Sequence, residues 1–243
     1  MHITHRINCH IKIGASLHVG VTQWGHYRAY IPQRAAPAQL HNLRQNAQCN
    51  LFWCNRTHIQ ARRALQARQL LRAQCTQVAA IGLSLGGMIA LQLAAAHSVA
   101  AVVALSTPFT IPADWRVPLL RQLSYVHPYM KKTSATASWV DPQALQRRVQ
   151  YRVRPLRAMA EVVDYLRVLP ELLPAVTAPA LLIHSSADRA VSPADMQRIC
   201  DRLGSLHKET LLLPRGDHVI TEDVERGQVF TAIAKFLAQQ MPA

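Results

Sequence analysis

The chain has 243 residues, half of them hydrophobic, which is enough for one large α/β domain or two small ones. Its net charge of +14 is uneven, because no Asp or Glu precedes Asp114 and residues 1–113 carry ten Arg or Lys side chains. These charges are scattered singly with few aromatic residues among them, which argues against nucleic-acid binding. The five cysteines and the absence of a signal-peptide pattern predict reduced thiols and a cytoplasmic protein.

The first 61 residues show little regular pattern. Apolar residues alternate with others from Ile11 to Val21, which predicts a strand with one solvent-facing side. The following segment, 22–61, reads as loop or irregular structure. It contains a Cys49-x4-Cys54-x3-His58 cluster, but a zinc site would need a fourth ligand. We therefore expect no metal at this cluster.

From Arg62 onward, apolar strands alternate with helices. This alternation predicts a mostly parallel sheet flanked by helices on both faces. The chain divides into an irregular segment, 1–61, and an α/β core, 62–243, with an insertion of short helices at about 110–175. The predicted core strands are Val78–Leu83, Val99–Ser106, Ala180–His184 and Glu209–Leu213.

A short motif lies at the end of the first core strand. Residues 82–86 read Gly-Leu-Ser-Leu-Gly, the G-x-S-x-G pattern of a sharp turn that presents a nucleophile, here Ser84. The N–H of Leu85 is the expected donor to a developing oxyanion. The apolar run Val78–Ala96 also has the length of a membrane span. Its clustered glycines suit a tight turn, and no basic or aromatic anchor flanks it, so stable membrane insertion is not expected.

The partners of Ser84 are predicted in loops that follow later strands. The segment HSSADRAVSP supplies Asp188, and PRGDHVI supplies His218, in the chain order serine, acid, histidine. The carboxyl ends of parallel strands meet at one edge of the sheet, where α/β proteins build their sites. His218 would accept the Ser84 proton and Asp188 would orient the imidazole. We assign no role to the other eleven histidines and expect Asp195 to serve a helix N-terminus.

Three segments, IGLSLGG, HSSADRAVSP and GDHVITED, resemble the bacterial carboxylesterase and monoacylglycerol lipase branch of the α/β-hydrolase superfamily. The resemblance covers about residues 65–237 and implies an α/β-hydrolase fold with a small helical lid at 110–175. It implies a serine hydrolase that cleaves monoacylglycerol-like or short- and medium-chain esters through an acyl-enzyme. The implied partner is a small-molecule ester or lipid, and no cofactor is implied. Thioesterase and acyltransferase activities use the same triad and stay open.

The N-terminal segment departs from this family. The family has an apolar strand ending in His-Gly well before the serine, whereas this chain has SLHVGV, with His18 and Gly20 separated. The N-terminal strands are therefore expected to be incomplete or aberrant, and the second oxyanion donor is unassigned. A shifted reading frame or gene start is one explanation, and a divergent genuine region is the other. The alternative functions are an inactive or truncated hydrolase-like protein and, more remotely, a membrane-inserted helical protein.

Overall fold

The computed structural model describes residues 8–14, 57–73, 75–131, 139–147 and 153–242. Within them, five parallel strands form the main sheet in the order β1-β2-β3-β6-β7. The strands are β1 (Asn8–Gly14), β2 (Gln77–Leu83), β3 (Ala101–Leu105), β4 (Tyr129–Lys131), β5 (Val153–Pro155), β6 (Ala180–Ser185) and β7 (Lys208–Leu213). The helices are α1 (Thr57–Arg72), α2 (Leu85–Ala96), α3 (Leu120–Val126), α4 (Pro142–Arg147), α5 (Leu156–Leu172), α6 (Ala194–Arg202) and α7 (Arg226–Gln240).

The three central strands are apolar and almost completely buried, as a parallel sheet covered on both faces requires. Alternate residues of β2 enter two different hydrophobic clusters. Val78 and Ala80 face a cluster built with α1, α2 and α5, whereas Ala79 and Ile81 face one built with α7. The predicted mostly parallel sheet flanked by helices is therefore confirmed.

The start of the core differs from the prediction in two places. Helix α1 begins at Thr57 rather than Arg62, and β1 pairs in parallel with the whole length of β2. The rest of the alternating segment, with His18 and Gly20, lies outside the described residues, as do Cys49 and Cys54. The division of the chain at residue 61 stays a prediction.

The cysteines only partly follow the expectation of reduced thiols. Cys200 is a free thiol, whereas Cys75 is disulfide-bonded, so the expectation is wrong for Cys75. The cytoplasmic location remains a prediction from the sequence.

The insertion between β3 and β6 combines helices with a small antiparallel pair, β4 and β5. Its last helix, α5, has 17 residues and is longer than the short helices predicted. Val162, Leu166 and Leu169 recur at helical spacing along α5 and join the main core beside α2. The Tyr165 hydroxyl adds a hydrogen bond of 3.1 Å to the Met88 carbonyl of α2. The insertion is thus fixed to the core through α5.

The apolar run Val78–Ala96 is divided at Ser84 into β2 and the 12-residue helix α2. In the part of the chain that the structure describes, no helix combines the length and apolarity needed to cross a membrane.

Candidate active site

Ser84 lies at the sharp turn between β2 and α2. Its backbone has φ 56° and ψ −120°, and residues other than Gly rarely adopt such a positive φ. Such a conformation costs about 1–3 kcal/mol and persists only where the surroundings enforce it. Here the Ser84 N–H donates to the Leu105 carbonyl at 2.7 Å, and the Ser84 carbonyl accepts from the Gly87 N–H at 2.9 Å. The turn is therefore anchored to the sheet on one side and to the helix on the other.

Glycine allows the helix to approach the end of the strand. A Cβ atom on Gly82 would overlap the Gly86 carbonyl, and one on Gly87 would overlap the Thr107 hydroxyl. This close packing brings the first turn of α2 directly over the end of β2. Leu85 is the first residue of α2, and the N–H of a first helical residue has no acceptor within the helix. An N–H in that position is suited to stabilise negative charge beside Ser84.

The three side chains predicted as nucleophile, acid and base converge at the carboxyl edge of the sheet. His218 Nε2 lies 3.0 Å from Ser84 Oγ, and His218 Nδ1 lies 2.8 Å from Asp188 Oδ2. Ser84 and His218 are completely buried, and Asp188 is 8% exposed. The arrangement allows the imidazole to accept a hydroxyl proton on one side while a carboxylate stabilises the resulting imidazolium on the other.

The surroundings keep the Asp188 carboxyl ionised. Burial by itself raises the pKa of this group, but hydrogen bonds from His184, His218 and the Val191 N–H outweigh it and hold the pKa well below its usual range. Asp188 Oδ1 accepts the N–H groups of Ala190 and Val191 at 2.8 and 2.9 Å. The carboxylate is thus fixed through both oxygens.

The sequence analysis missed His184, which also contacts Asp188. His184 is the penultimate residue of β6, it is 1% exposed, and its Nε2 lies 3.0 Å from Asp188 Oδ2. The only signal in the sequence was its position at the end of a buried strand, four residues before the acid. A histidine in an apolar strand is more often simply packed, and no local motif distinguishes this one.

A second group that the sequence did not reveal consists of buried carboxylates around His218. Asp217 accepts the backbone N–H of His218 at 2.8 Å and forms an ion pair with Arg189 at 2.5 Å. It also accepts the backbone N–H of Arg189 at 3.0 Å. Because Arg189 follows Asp188 directly, Asp217 ties the loop of the acid to the loop of the base.

Asp223 connects the same loop to the insertion. Its carboxylate accepts the N–H of Asp217 at 2.7 Å and those of Val140 and Asp141 at 3.0 and 2.8 Å. Asp223 is 1% exposed, so these bonds lie in a site where unpaired donors are costly. The position of His218 therefore depends on Asp223, which bonds a residue 83 positions earlier in the chain.

Asp195, which was expected to serve a helix N-terminus, lies in the first turn of α6, but its carboxylate is used elsewhere. It accepts the N–H groups of Phe109 and Thr110 at 2.8 and 3.0 Å and pairs with Arg198 at 2.8 Å. Asp195 thus joins α6 to the loop after β3. Its carboxylate has no contact with Ser84 or His218 among these bonds.

No group of three His, Cys, Asp or Glu side chains is arranged to hold a metal ion in the described ranges. The cluster of Cys49 and Cys54 falls outside those ranges, and it carries no further weight here.

A parallel sheet with a strained serine turn and an acid and a base at the same edge is the architecture of an α/β-hydrolase. The family model described as "Serine aminopeptidase, S33" matches residues 60–225, about two thirds of the chain. The chain belongs to this family, which confirms the resemblance to α/β-hydrolases.

Solved structures agree with this fold. A structure described under two metagenome-derived lipolytic enzymes, LipS and LipT, has 22% identity and a TM-score of 0.67, covering 76% of this chain and 74% of that one. The monoacylglycerol lipase of Paleococcus ferrophilus has 21% identity and a TM-score of 0.66, covering 76% of each chain. A soluble variant of the monoglyceride lipase of Saccharomyces cerevisiae has 13% identity and a TM-score of 0.63, covering 75% and 68%. At these identities the likeness concerns the fold.

Proposed function

We propose that the protein is a serine hydrolase that cleaves carboxylic esters through an acyl-enzyme. One observation carries the proposal: His218 contacts Ser84 Oγ with one ring nitrogen and Asp188 with the other, at 3.0 and 2.8 Å. Membership of a hydrolase family and the lipase and esterase names of the structural neighbours support ester hydrolysis in general.

The proposed reaction has two halves. In the first, His218 Nε2 accepts the Ser84 proton while Ser84 Oγ attacks the ester carbonyl carbon. The Leu85 N–H donates to the oxyanion of the tetrahedral intermediate. The intermediate collapses, the bond to the alcohol oxygen breaks, and the imidazolium of His218 gives its proton to that oxygen. In the second half, His218 activates a water molecule that hydrolyses the acyl-enzyme and restores the Ser84 hydroxyl.

We propose that the substrates are monoacylglycerol-like or short- and medium-chain esters. Two of the similar structures bear the names monoacylglycerol lipase and monoglyceride lipase, and a third is described as lipolytic. The insertion follows β3, the strand next to Ser84, and reaches the loop of His218 through Asp223, so it is suited to cover a bound acyl chain.

Hydrolysis of p-nitrophenyl esters of increasing chain length and of 1-monoacylglycerols tests the proposal. Ser84→Ala is expected to reduce kcat by roughly 10⁶-fold, because the nucleophile is removed. Ser205→Ala is the matched control, since Ser205 is also buried but bonds the His207 carbonyl away from the site. A folded wild-type protein that hydrolyses none of these esters, or a Ser84→Ala variant that matches it, would contradict the proposal. The first result would favour the inactive hydrolase-like alternative.

A further inference from the structure

His184 is a buried titratable group that the proposed reaction does not use. It reaches the acid from the strand side, whereas His218 reaches it from the base loop. Both imidazoles meet the same oxygen: Asp188 Oδ2 lies 3.0 Å from His184 Nε2 and 2.8 Å from His218 Nδ1. With 1% of its surface exposed, His184 exchanges this partner for water only at a high cost.

This geometry determines the protonation of His184. An ionised carboxylate only accepts hydrogen bonds, so His184 must carry a proton on Nε2 to contact Asp188 favourably. The other carboxylate oxygen is occupied by the N–H groups of Ala190 and Val191. Asp188 therefore receives four donors, and Oδ2 divides its acceptor capacity between two imidazoles.

We infer that His184 is a positioning residue of the acid–base pair, which holds Asp188 Oδ2 towards His218 Nδ1. Without the donor on His184 Nε2, the described contacts that hold the carboxylate, apart from His218 itself, would be the N–H groups of Ala190 and Val191 on Oδ1. This inference rests on the proposed function, in which His218 is the base.

Other charges near the pair also act on it. Arg189 and Asp217 lie one residue from Asp188 and from His218, respectively, and they neutralise each other in an ion pair of 2.5 Å. Asp223 is a further buried carboxylate, and it bonds the N–H of Asp217. These groups stay unchanged when His184 is replaced, so a change in turnover would report on the contact between His184 and Asp188.

The kinetic test compares two substitutions. His184→Phe keeps much of the volume and removes the donor, whereas His184→Gln places an amide N–H near the position of Nε2. In His184→Phe, kcat is expected to fall roughly tenfold while KM stays close to the wild-type value, because Asp188 Oδ2 is no longer held towards His218 Nδ1 and the ester-binding surface is unchanged. His184→Gln should restore most of the rate.

A matched control separates this effect from general damage to the strand. Ile183 is the preceding residue of β6, it is equally buried, and its side chain packs in the cluster on the α7 side. Ile183→Val should lower the melting temperature while leaving kcat close to that of the wild type. A kcat that does not fall in His184→Phe, or that falls equally in Ile183→Val, would overturn the inference.

The tautomer of His184 in the wild-type protein gives a second test, which needs no substitution. Histidine ring ¹⁵N–¹H spectra near neutral pH should show His184 with a proton on Nε2. A neutral His184 with its proton on Nδ1 alone would overturn the inference, even if the Phe variant does not fold. This spectrum does not depend on turnover, so its failure is distinguishable from failure of the proposed function, which absence of ester hydrolysis would show.

Discussion

The two halves of the candidate site are held by different forces. The turn at Ser84 depends on steric fit, since Gly82 and the start of α2 are in direct backbone contact and the strained dihedrals of Ser84 are held by backbone hydrogen bonds to Leu105 and Gly87. Asp188 and His218 depend instead on hydrogen bonds between loops 30 residues apart, organised by the buried carboxylates of Asp217 and Asp223.

This difference predicts that substitutions in the two halves have different effects on stability and on rate. A steric fit against backbone has little room to adjust, so a change at the turn should reduce stability and displace the serine together. A network of charged hydrogen bonds can keep the fold when one member loses its charge, so a change at the acid should act on the rate first. The five predictions below test this contrast.

Apart from loss of the nucleophile itself, the largest effect is expected for Asp188→Asn. The amide preserves the shape but can no longer stabilise the imidazolium or enforce the ring tautomer, so kcat should fall about 10⁴-fold. Asp195→Asn is the control, because Asp195 is equally buried and bonds the loop after β3. It should lose stability and keep kcat close to that of the wild type. Steady-state ester hydrolysis measures both, and an Asp188→Asn variant with more than about a tenth of the wild-type rate would contradict the prediction.

Gly82→Ala tests the steric half of the comparison. The new methyl group overlaps the Gly86 carbonyl, so the free energy of unfolding should fall by about 3 kcal/mol or more. Gly227→Ala is the matched control, since a Cβ at Gly227 meets nothing within 4 Å in the first turn of α7. That variant should gain about 0.4–1 kcal/mol. Urea unfolding of the pair is the measurement, and equal stabilities would show that the turn is not tightly packed.

Asp223→Asn tests the link between the insertion and the base loop. One accepting oxygen becomes a donor facing backbone N–H groups, which should cost about 2 kcal/mol of stability and lower kcat/KM several-fold. Asp141→Asn is the control, because Asp141 is partly exposed and its side chain bonds the Gln143 N–H, a contact that an amide oxygen can also make. If both variants lose the same stability and activity, Asp223 does not organise the loop.

The lowered pKa of Asp188 predicts a pH dependence of stability. A carboxyl whose folded-state pKa lies below its unfolded value of about 3.9 stabilises the fold above that pH. This contribution is lost as the pH falls from about 5 through the folded-state pKa. The melting temperature of the wild type should therefore fall relative to that of Asp188→Asn as the pH is lowered from 6 to 3. A difference that is constant with pH would contradict the shift.

The smallest effect is expected at the surface of the insertion. Arg121 and Asp164 form an ion pair of 2.5 Å, but both side chains are more than two-fifths exposed and Asp164 also pairs with Arg167. Arg121→Gln should therefore change the free energy of unfolding by less than about 0.5 kcal/mol. Thermal unfolding at low and high salt checks this, and a larger loss would mean that the pair contributes to fixing the insertion.

Local patterns explain what the sequence predicted well. The run of apolar strands predicted the parallel sheet, and the glycines around Ser84 predicted a turn with close backbone approach. Because parallel strands end at the same edge, the loops with Asp188 and His218 were expected to meet Ser84 there, and their side chains do lie in contact. Their catalytic roles remain predictions until activity is measured.

The features that the sequence analysis missed depend on contacts between distant segments. His184 is distinguished from an ordinary packed histidine by its contact with Asp188. Asp223 is distinguished by its bonds to the N–H groups of residues 140 and 141, which are distant in sequence. The length of α5 was underestimated because its apolar face packs against α2, which lies far away in the sequence. At the Tyr165–Met88 contact the two residues are 77 positions apart. Periodicity within a short window carries no information on such partners.

The most direct test of the central claim is labelling with a serine-directed fluorophosphonate, followed by intact mass measurement and peptide mapping. The account predicts a single adduct on Ser84 of the wild-type protein, with no adduct on Ser84→Ala and slow labelling of Asp188→Asn. A folded wild-type protein that takes up no label, or that carries its adduct on another residue, would contradict it.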